Sequence, residues 1–483
     1  MRSRVTFQLQ RILDQAHEAD VAQVHTFSKG VGAAAGRTKR VDIPDGFSAR
    51  DYAIFLLHVA AEIEHGLLVQ YLFAAYSLGG PQVPEAHRPL VARWQATLLG
   101  IAREEMGHLV TVQNLLKLIG GPLNLERDDF PWDIPFYPFP FSLEPLSVGL
   151  IARYVCIESP EEWPDVWAAR RDEIQKIAFP GGASDFKRVG QIYDTLKALL
   201  GDKTLIADEV FHADTLSFQA SFAEYGRGHS QGARGATKPG DKVPDVLIYT
   251  AYSRSTALLA LSAVAEQGEA SHSDAKDSAP SHFERFMELF LEIEGVTDWN
   301  PCRPVISNPR AVGDAGAVPG TNYIGHPEAR VWARLLNLRY RMLLAYIAHS
   351  FRISGDHGQA EGLSRGAVLN RAFGEMYNLR TLASILVSMP ADDPATDARA
   401  APSFELPYSM NLPVLDRDVW HQHIDLLQAS KGLIEQVRST AGSGSDDYLD
   451  SLLALDEQAT ATFEAARRGS QGPGAVYNVG GRA

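Results

Sequence analysis

The residues best placed to do chemistry are Glu105 and His108, which interrupt an apolar stripe on a predicted helix. Their spacing puts both side chains on one helix face, where a buried carboxylate costs several kcal/mol unless it is paired. Glu-x-x-His is the spacing with which helical bundles direct both side chains at one metal centre. A Glu–His hydrogen bond inside the core is the alternative. The stripe consists of Leu98, Ile101, Glu105, His108, Val112, Leu115 and Ile119.

The preceding apolar stretch carries two further carboxylates, Glu62 and Glu64, on neighbouring stripes. Glu62 also forms a second Glu-x-x-His with His65. The pattern alone leaves open which carboxylate faces the centre, and the other is expected in a salt bridge beside it. One stripe is Leu57, Ala60, Glu64, Leu67, Tyr71, Ala74 and Leu78; the other is Phe55, His58, Glu62, His65, Val69, Leu72 and Tyr76.

Two later apolar stretches also carry polar residues at positions expected to be buried. Glu266 and Glu269 end a third apolar stretch, and His282 begins a fourth, so we expect His282 to fold back near Glu269. Glu284 follows Ser281 by three residues and completes a capping box. Because four stretches each place a carboxylate or an imidazole at a position expected to be buried, the sequence predicts a metal site. Iron and manganese both suit oxygen and nitrogen donors of this kind.

These side chains need long helices to position them. We predict helices over about 48–78 and 89–119, each stopped by Gly-Gly-Pro and joined by a short loop as an antiparallel hairpin. The third helix is predicted from Pro244 to about Gly268 and the fourth from Ser281 to about Glu294. Almost no alternating strand pattern is present, so the predicted class is all-α.

The chain extends well beyond this bundle. Its full length of 483 residues predicts about three domain-sized units. We expect an N-terminal extension over 1–45, a metal-binding bundle over 46–295 with an insertion over about 121–244, a C-terminal helical region over 296–468 and a flexible tail over 469–483. Shorter helices are predicted at 161–177 and 185–225, and C-terminal helices at 328–353, 365–388, 416–439 and 446–467.

In this order the motifs resemble the ferritin-like superfamily, in which the first helix gives a lone Glu and the second gives Glu-x-x-His. More narrowly, they resemble the iminophenyl-pyruvate dimer synthase family of bacterial secondary metabolism. The resemblance covers about 46–295 well and 400–430 more loosely. It is carried by Glu62-Ile63-Glu64-His65, Arg103-Glu104-Glu105-Met106-Gly107-His108, Glu266-Gln267-Gly268-Glu269, Ser281-His282-Phe283-Glu284-Arg285-Phe286 and the segment from Phe404 to Pro413.

The resemblance implies a four-helix ferritin-like bundle and a metal-dependent enzyme, an oxidoreductase that joins imines from oxidised aromatic amino acids. It implies non-haem iron, with manganese as the other metal, a small aromatic or imine substrate and dioxygen as a second one. Matching positions favour five ligands, with Glu266 as a further candidate. No Glu-x-x-His lies between Ser281 and Glu294, so a single ion or an asymmetric pair is expected. The five are Glu64, Glu105, His108, Glu269 and His282.

Aromatic residues and prolines alternate between Phe130 and Phe141, directly after the second predicted helix. Four prolines exclude a helix or a central strand there. Such a stiff apolar segment suits a flat aromatic ligand. Sealing the end of the bundle is the alternative.

Composition excludes several function classes. Lys and Arg number 45 against 59 Asp and Glu, a net charge of −14, which disfavours binding to nucleic acid or an anionic membrane surface. Two cysteines exclude a disulfide framework and suit a reducing cytoplasm. We expect no signal peptide and no apolar run near the roughly 18 residues of a membrane span. A monomer or small homo-oligomer fits the enzyme; a cage-like assembly would indicate the alternative, metal storage without catalysis.

Overall fold

The computed structural model describes residues 41–132, 139–182, 188–225, 248–269, 280–355, 365–407, 409–440 and 446–469. Within these ranges helices are the dominant regular structure and the two strands have two residues each, which confirms the predicted all-α class. It divides into two compact units, Met1–Cys302 and Arg303–Ala483. The α-helices are α1 (Ala49–Ser77), α2 (Arg88–Leu118), α3 (Val148–Ile157), α4 (Asp165–Ala168), α5 (Arg171–Ala178), α6 (Val189–Gly201), α7 (Phe222–Tyr225), α8 (Arg254–Glu269), α9 (His282–Glu294), α10 (Pro327–Ser350), α11 (Arg365–Leu386), α12 (Asp416–Thr440) and α13 (Asp446–Gly469).

Local sequence signals set the ends of the helices that matter most for the site. The Ser48 hydroxyl accepts a hydrogen bond from the Asp51 amide at 3.2 Å and caps α1. Gly120 ends α2 with a φ of 69°, a left-handed conformation that glycine adopts without strain. Both halves of the capping box at the start of α9 are formed, with the Ser281 amide 2.8 Å from the Glu284 carboxylate.

The segment between α2 and α8 adds two helices to the bundle. Helix α3 packs against α5 and α9, and α6 packs against α1 and α8. Both therefore contact helices that carry candidate metal ligands. Short 3₁₀ turns at Glu85–His87, Asp208–Val210 and Ala213–Phe218 lie in the connections.

The second unit is built on α10, which packs against α11 and α12, while α12 packs against α13. Strands β1 (Pro309–Arg310) and β2 (Asn322–Tyr323) pair in parallel. Arg339 is fully buried among these helices, and its terminal nitrogens contact Glu375 on α11 and Asp456 on α13. The side chains of Ser430 and Asn378 complete this buried ion network.

The second unit also buries a pair of histidines. His349 Nδ1 lies 3.0 Å from His423 Nε2, and Trp420, Tyr346 and Phe463 surround the two rings. Burial lowers the pKa of His423 to about 3. Burial, His423 and the Arg352 charge lower the pKa of His349 well below its usual range. Both rings are therefore neutral at ordinary pH.

The predicted start of the third helix after Pro244 is wrong, because α8 begins only at Arg254. The backbone groups just before α8 form hydrogen bonds with side chains instead of the hydrogen bonds of a helix. Asn114 donates to the Tyr249 carbonyl at 2.9 Å, and the Ala251 amide donates to Gln219 at 2.8 Å. The residues from 241 to 247 lie outside the described residues.

The expectation that no stretch approaches the length and apolarity of a membrane span is also wrong. Among the described helices, α1 is long and apolar enough to cross a membrane, judged by length and composition alone. Its most apolar window is 78% buried inside the structure, as in the core helix of a bundle. Helix α1 is therefore weak evidence for a membrane span.

Candidate metal centre

Four of the predicted ligands meet in the first unit. Glu64 comes from α1, Glu105 and His108 from α2, and His282 is the first residue of α9. His108 Nδ1 and Glu105 Oε2 are hydrogen-bonded at 3.0 Å, so the Glu–His hydrogen bond stated as the alternative is formed in the structure, and His108 Nδ1 lies 3.3 Å from Glu64 Oε2. His282 Nδ1 lies 2.7 Å from Glu105 Oε1. Each of these residues is at most 3% exposed, so the cluster is closed to bulk water.

Three atoms of this cluster make no hydrogen bond in spite of their burial: Glu64 Oε2, Glu105 Oε1 and His282 Nδ1. The last two are 2.7 Å apart and form an ion pair when His282 is protonated, but their geometry is not that of a hydrogen bond. A buried polar atom without a partner costs about 1–3 kcal/mol. Atoms that converge without bonding each other are the arrangement that a metal ion satisfies. The donor set of carboxylates and imidazoles therefore fits an iron or manganese ion.

Neighbouring side chains turn the histidines toward this point. His282 Nε2 donates to Glu104 at 2.8 Å, and Arg285 contacts the same carboxylate. His108 Nε2 donates to Gln267 Oε1 at 2.9 Å. With each Nε2 occupied in this way, each Nδ1 faces the cluster. Hydrogen bonding of the outer ring nitrogen is how metal-binding histidines are held in proteins.

Glu158 joins the cluster although the sequence analysis did not predict it. It ends α3, is 2% exposed, and its Oε2 lies 3.9 Å from His282 Nδ1. Tyr71 donates to its Oε1 at 2.5 Å, and Tyr193 of α6 likewise donates to Glu64. The one available signal was an acidic residue directly after the apolar run of α3. The inserted segment thus supplies both a carboxylate and a tyrosine to the centre.

The pKa values of the cluster follow from burial and from its mutual charges. Burial and the Glu105 charge raise the pKa of Glu64 to about 8 and of Glu158 to about 7. Burial disfavours ionised Glu105, but His282 and His108 outweigh it and hold its pKa well below its usual range. Burial likewise disfavours charged His282, but Glu105 and Glu104 raise its pKa to about 9. Burial thus favours the neutral forms of Glu64 and Glu158, and a bound metal ion would favour their ionised forms.

The remaining candidates do not contact the cluster of Glu64, Glu105, His108 and His282. Glu266 is exposed on α8, because the adjacent Gln267 takes the inward position, so its prediction as a ligand is wrong. Glu269 lines the same cavity as the cluster, but its Oε1 accepts from the Gly190 amide at 2.7 Å and its Oε2 lies 3.6 Å from Arg188 Nη1. Glu62 faces away from the cluster and accepts from Asn124 at 3.1 Å.

The structure supports the sealing role for two residues of the aromatic segment, and the ligand-binding role stays a prediction. Trp132 and Phe141 exchange backbone hydrogen bonds, stack at 5.0 Å and cover Gly66 of α1, so they seal the bundle. Phe139 packs 5.4 Å from Phe179 and lines a separate cavity of about 340 Å³. The residues from 133 to 138 lie outside the described residues.

Residues 57–291 match the family model described as "Ferritin-like". The chain is 29% identical over 391 residues to dichlorochromopyrrolate synthase of Lentzea aerocolonigenes, covering 74% of this chain and 36% of that protein. It is 26% identical over 373 residues to 2-imino-3-(indol-3-yl)propanoate dimerase of Chromobacterium violaceum, covering 69% and 32%. The chain thus spans about a third of the length of these curated relatives. A crystal structure of a ferritin-like protein from Caulobacter vibrioides aligns with a TM-score of 0.36 at 18% identity, over 70% of this chain and 98% of that one.

Proposed function

We propose that the ferritin-like domain formed by residues 57–291 is the metal-dependent catalytic part of a biosynthetic enzyme. Its substrate is a small imine derived from an aromatic amino acid, and the reaction is an oxidative coupling in secondary metabolism. The names of two relatives support this substrate class, since one is a synthase and the other a dimerase of an indolyl imino acid.

One observation carries the metal dependence. Glu64 Oε2, Glu105 Oε1 and His282 Nδ1 are buried together without hydrogen bonds. These three residues and His108 would hold the ion, and Glu158 lies at the edge of the group. A bound iron or manganese ion supplies Lewis-acid or redox chemistry, with dioxygen as the oxidant of a redox reaction.

The chain's own residues orient the site and handle protons. Tyr193, Gln267 and Glu104 fix Glu64, His108 and His282 through one hydrogen bond each. Glu158 places its Oε2 3.9 Å from His282 Nδ1, where a carboxyl group can accept or release a proton beside the site. Its Oε1 remains bound to Tyr71. Burial of the whole group keeps bulk water away from a reactive imine.

Two measurements test the proposal together. Elemental analysis of the freshly purified chain should find iron or manganese in a fixed ratio to protein. The metal-loaded chain, mixed with the imine that an L-amino acid oxidase makes from tryptophan or phenylalanine, should then yield a coupled product by mass spectrometry, and the chelator-treated chain should not. Absence of stoichiometric metal, or equal product from both samples, contradicts the proposal.

A further inference from the structure

We propose that the cavity beside Phe139 and Phe179 is a second binding site, which takes an aromatic α-amino acid in its zwitterionic form. It is separate from the cavity at the metal centre, since the two share no lining residue among those that the structure describes. The inference therefore goes beyond the proposed function and does not rest on it.

The cavity has the size of a site for one small molecule. Its volume is about 340 Å³, at the lower end of the roughly 300–1,000 Å³ that small-molecule sites occupy. One wall is the turn from Phe179 to Gly182, where a Cβ atom added at Gly181 would meet nothing within 4 Å. The cavity at the metal centre, by contrast, measures about 10 Å³. Of the two, only the cavity beside Phe139 has room for a molecule with one or two rings.

Two phenylalanine rings give this cavity an aromatic wall. The ring centroids of Phe139 and Phe179 are 5.4 Å apart, and the guanidinium carbon of Arg153 lies 5.5 Å from the centroid of Phe139. Phe139 is only half-buried, so part of its surface remains for a ligand to cover. Aromatic rings pair favourably at centroid distances of about 4.5–7 Å. The wall therefore favours a flat aromatic ligand.

Arg153 and Glu144 place one charge of each sign on the same cavity. Arg153 Nη1 donates to Glu144 Oε1 at 2.7 Å, and the two side chains are 26% and 29% exposed. A guanidinium has five N–H donors and a carboxylate has two acceptor oxygens, so both groups can bind a ligand without separating.

This pairing of charges selects among aromatic ligands. A simple aromatic acid would be attracted by Arg153 but repelled by Glu144, and a simple amine would meet the reverse conflict. A zwitterion avoids both, with its carboxylate beside Arg153 and its ammonium group beside Glu144. The combination of rings and paired charges thus indicates an aromatic α-amino acid.

Tyr154 adds an independent observation near the charged pair. Its hydroxyl is buried and has no hydrogen-bond partner within the described part of the chain. Burial and the Glu144 charge raise the pKa of Tyr154 well above its usual range, while the Arg153 charge lowers it, so the hydroxyl is within electrostatic reach of both. A buried hydroxyl without a partner is costly. A ligand carboxylate held by Arg153 would bring an acceptor to this region.

Isothermal titration of the full chain with its native metal content tests the inference with three probes. They are L-phenylalanine, 3-phenylpropanoate, which lacks the amine, and phenethylamine, which lacks the carboxylate. L-phenylalanine should bind at least about tenfold more tightly than either, because it satisfies both charges. Arg153→Gln should abolish its advantage over phenethylamine, and Glu144→Gln its advantage over 3-phenylpropanoate. Phe179→Leu should weaken all three, and Arg93→Gln, which breaks a surface ion pair, is the control that should change none.

The two charge variants should each act on a different comparison, which a general loss of folding does not do. Equal binding of the three probes by the unmodified chain, or no binding of L-phenylalanine, overturns the inference. A charge variant that lowers all three affinities by the same factor overturns it as well. Elemental analysis of the same samples keeps the two proposals apart. Stoichiometric metal without L-phenylalanine binding retains the metal centre and rejects the second site, and charge-dependent binding in a chain without stoichiometric metal does the reverse.

Discussion

Two buried charged clusters distinguish the units of this protein. In the second unit, Asp456 and Glu375 surround Arg339, and all four of their carboxylate oxygens accept hydrogen bonds, although Arg339 Nε has no hydrogen-bond partner. In the first unit, Glu64, Glu105 and His282 are equally buried, but each keeps one polar atom without a hydrogen bond. Burial of charge alone therefore does not indicate a binding site. The informative difference is whether all the carboxylate oxygens accept hydrogen bonds or some remain available to bind a metal ion.

The largest expected effect is loss of metal from the cluster of the first unit. Glu105→Ala or His108→Ala removes a side chain that would bind the ion, so nearly all bound metal should be lost while the helical circular dichroism signal persists. Elemental analysis measures this. Glu62→Gln is the matched control, because Glu62 faces Asn124 instead of the cluster. Full metal occupancy in both alanine variants would contradict the assignment of Glu105 and His108 as metal ligands.

The next effect concerns the cluster around Arg339 in the second unit. Arg339→Met leaves Asp456 and Glu375 buried without their cation, which should lower the free energy of unfolding of the second unit by about 3–5 kcal/mol. Denaturant unfolding measures the change, and metal content should stay the same. Replacing Arg339, Asp456 and Glu375 together by apolar residues should recover much of the loss. A neutral Arg339→Met would show that this network is not structural.

A pH titration separates the units further through the pair of His349 and His423. Both have folded pKa values below the unfolded value of about 6.5. The unfolded chain therefore binds more protons below pH 6.5, and stability that is fully present above this pH is lost as the pH falls. The second unit should lose about 2 kcal/mol per histidine between pH 6.5 and 5. His423→Gln should flatten the profile; an unchanged slope would exclude this pair as its cause.

The smallest effect tests the side chains that orient the ligands. Glu104→Gln keeps the shape of the hydrogen-bond partner of His282 Nε2 but removes its charge, so metal affinity should fall by about tenfold without disappearing. Competition with a coloured chelator measures the affinity. Glu292→Gln, which removes a charge from the surface pair with Arg93, is the control. A loss as large as that of Glu105→Ala would mean that Glu104 itself binds the ion.

The sequence predicted the parts of the site that follow helical periodicity. The stripes through Glu64, Glu105 and His108 correspond to inward faces of α1 and α2, and the capping box located His282 at the start of α9. The same periodicity could not separate Glu62 from Glu64, since both neighbouring stripes are apolar. That choice depends on which side of α1 packs against α2.

The parts that were missed come from tertiary placement. Glu158 and Tyr193 lie in the inserted segment, where no local pattern relates them to the bundle. Glu269 has the residue type and position of a ligand, yet the first turn of α6 binds its carboxylate. No signal within α8 indicates that the Gly190 amide, 79 residues earlier in the chain, hydrogen-bonds to this carboxylate.

The position of His282 at the first residue of α9 has a kinetic consequence. Helix ends open more often than helix centres, and the other helical ligands lie in mid-helix. We therefore expect opening of this helix end to move His282 away while Glu64, Glu105 and His108 stay in place, which would give an ion a route in and out. The capping box of Ser281 and Glu284 holds that end closed. We expect this cap to govern how fast the ion exchanges more than how tightly it is bound.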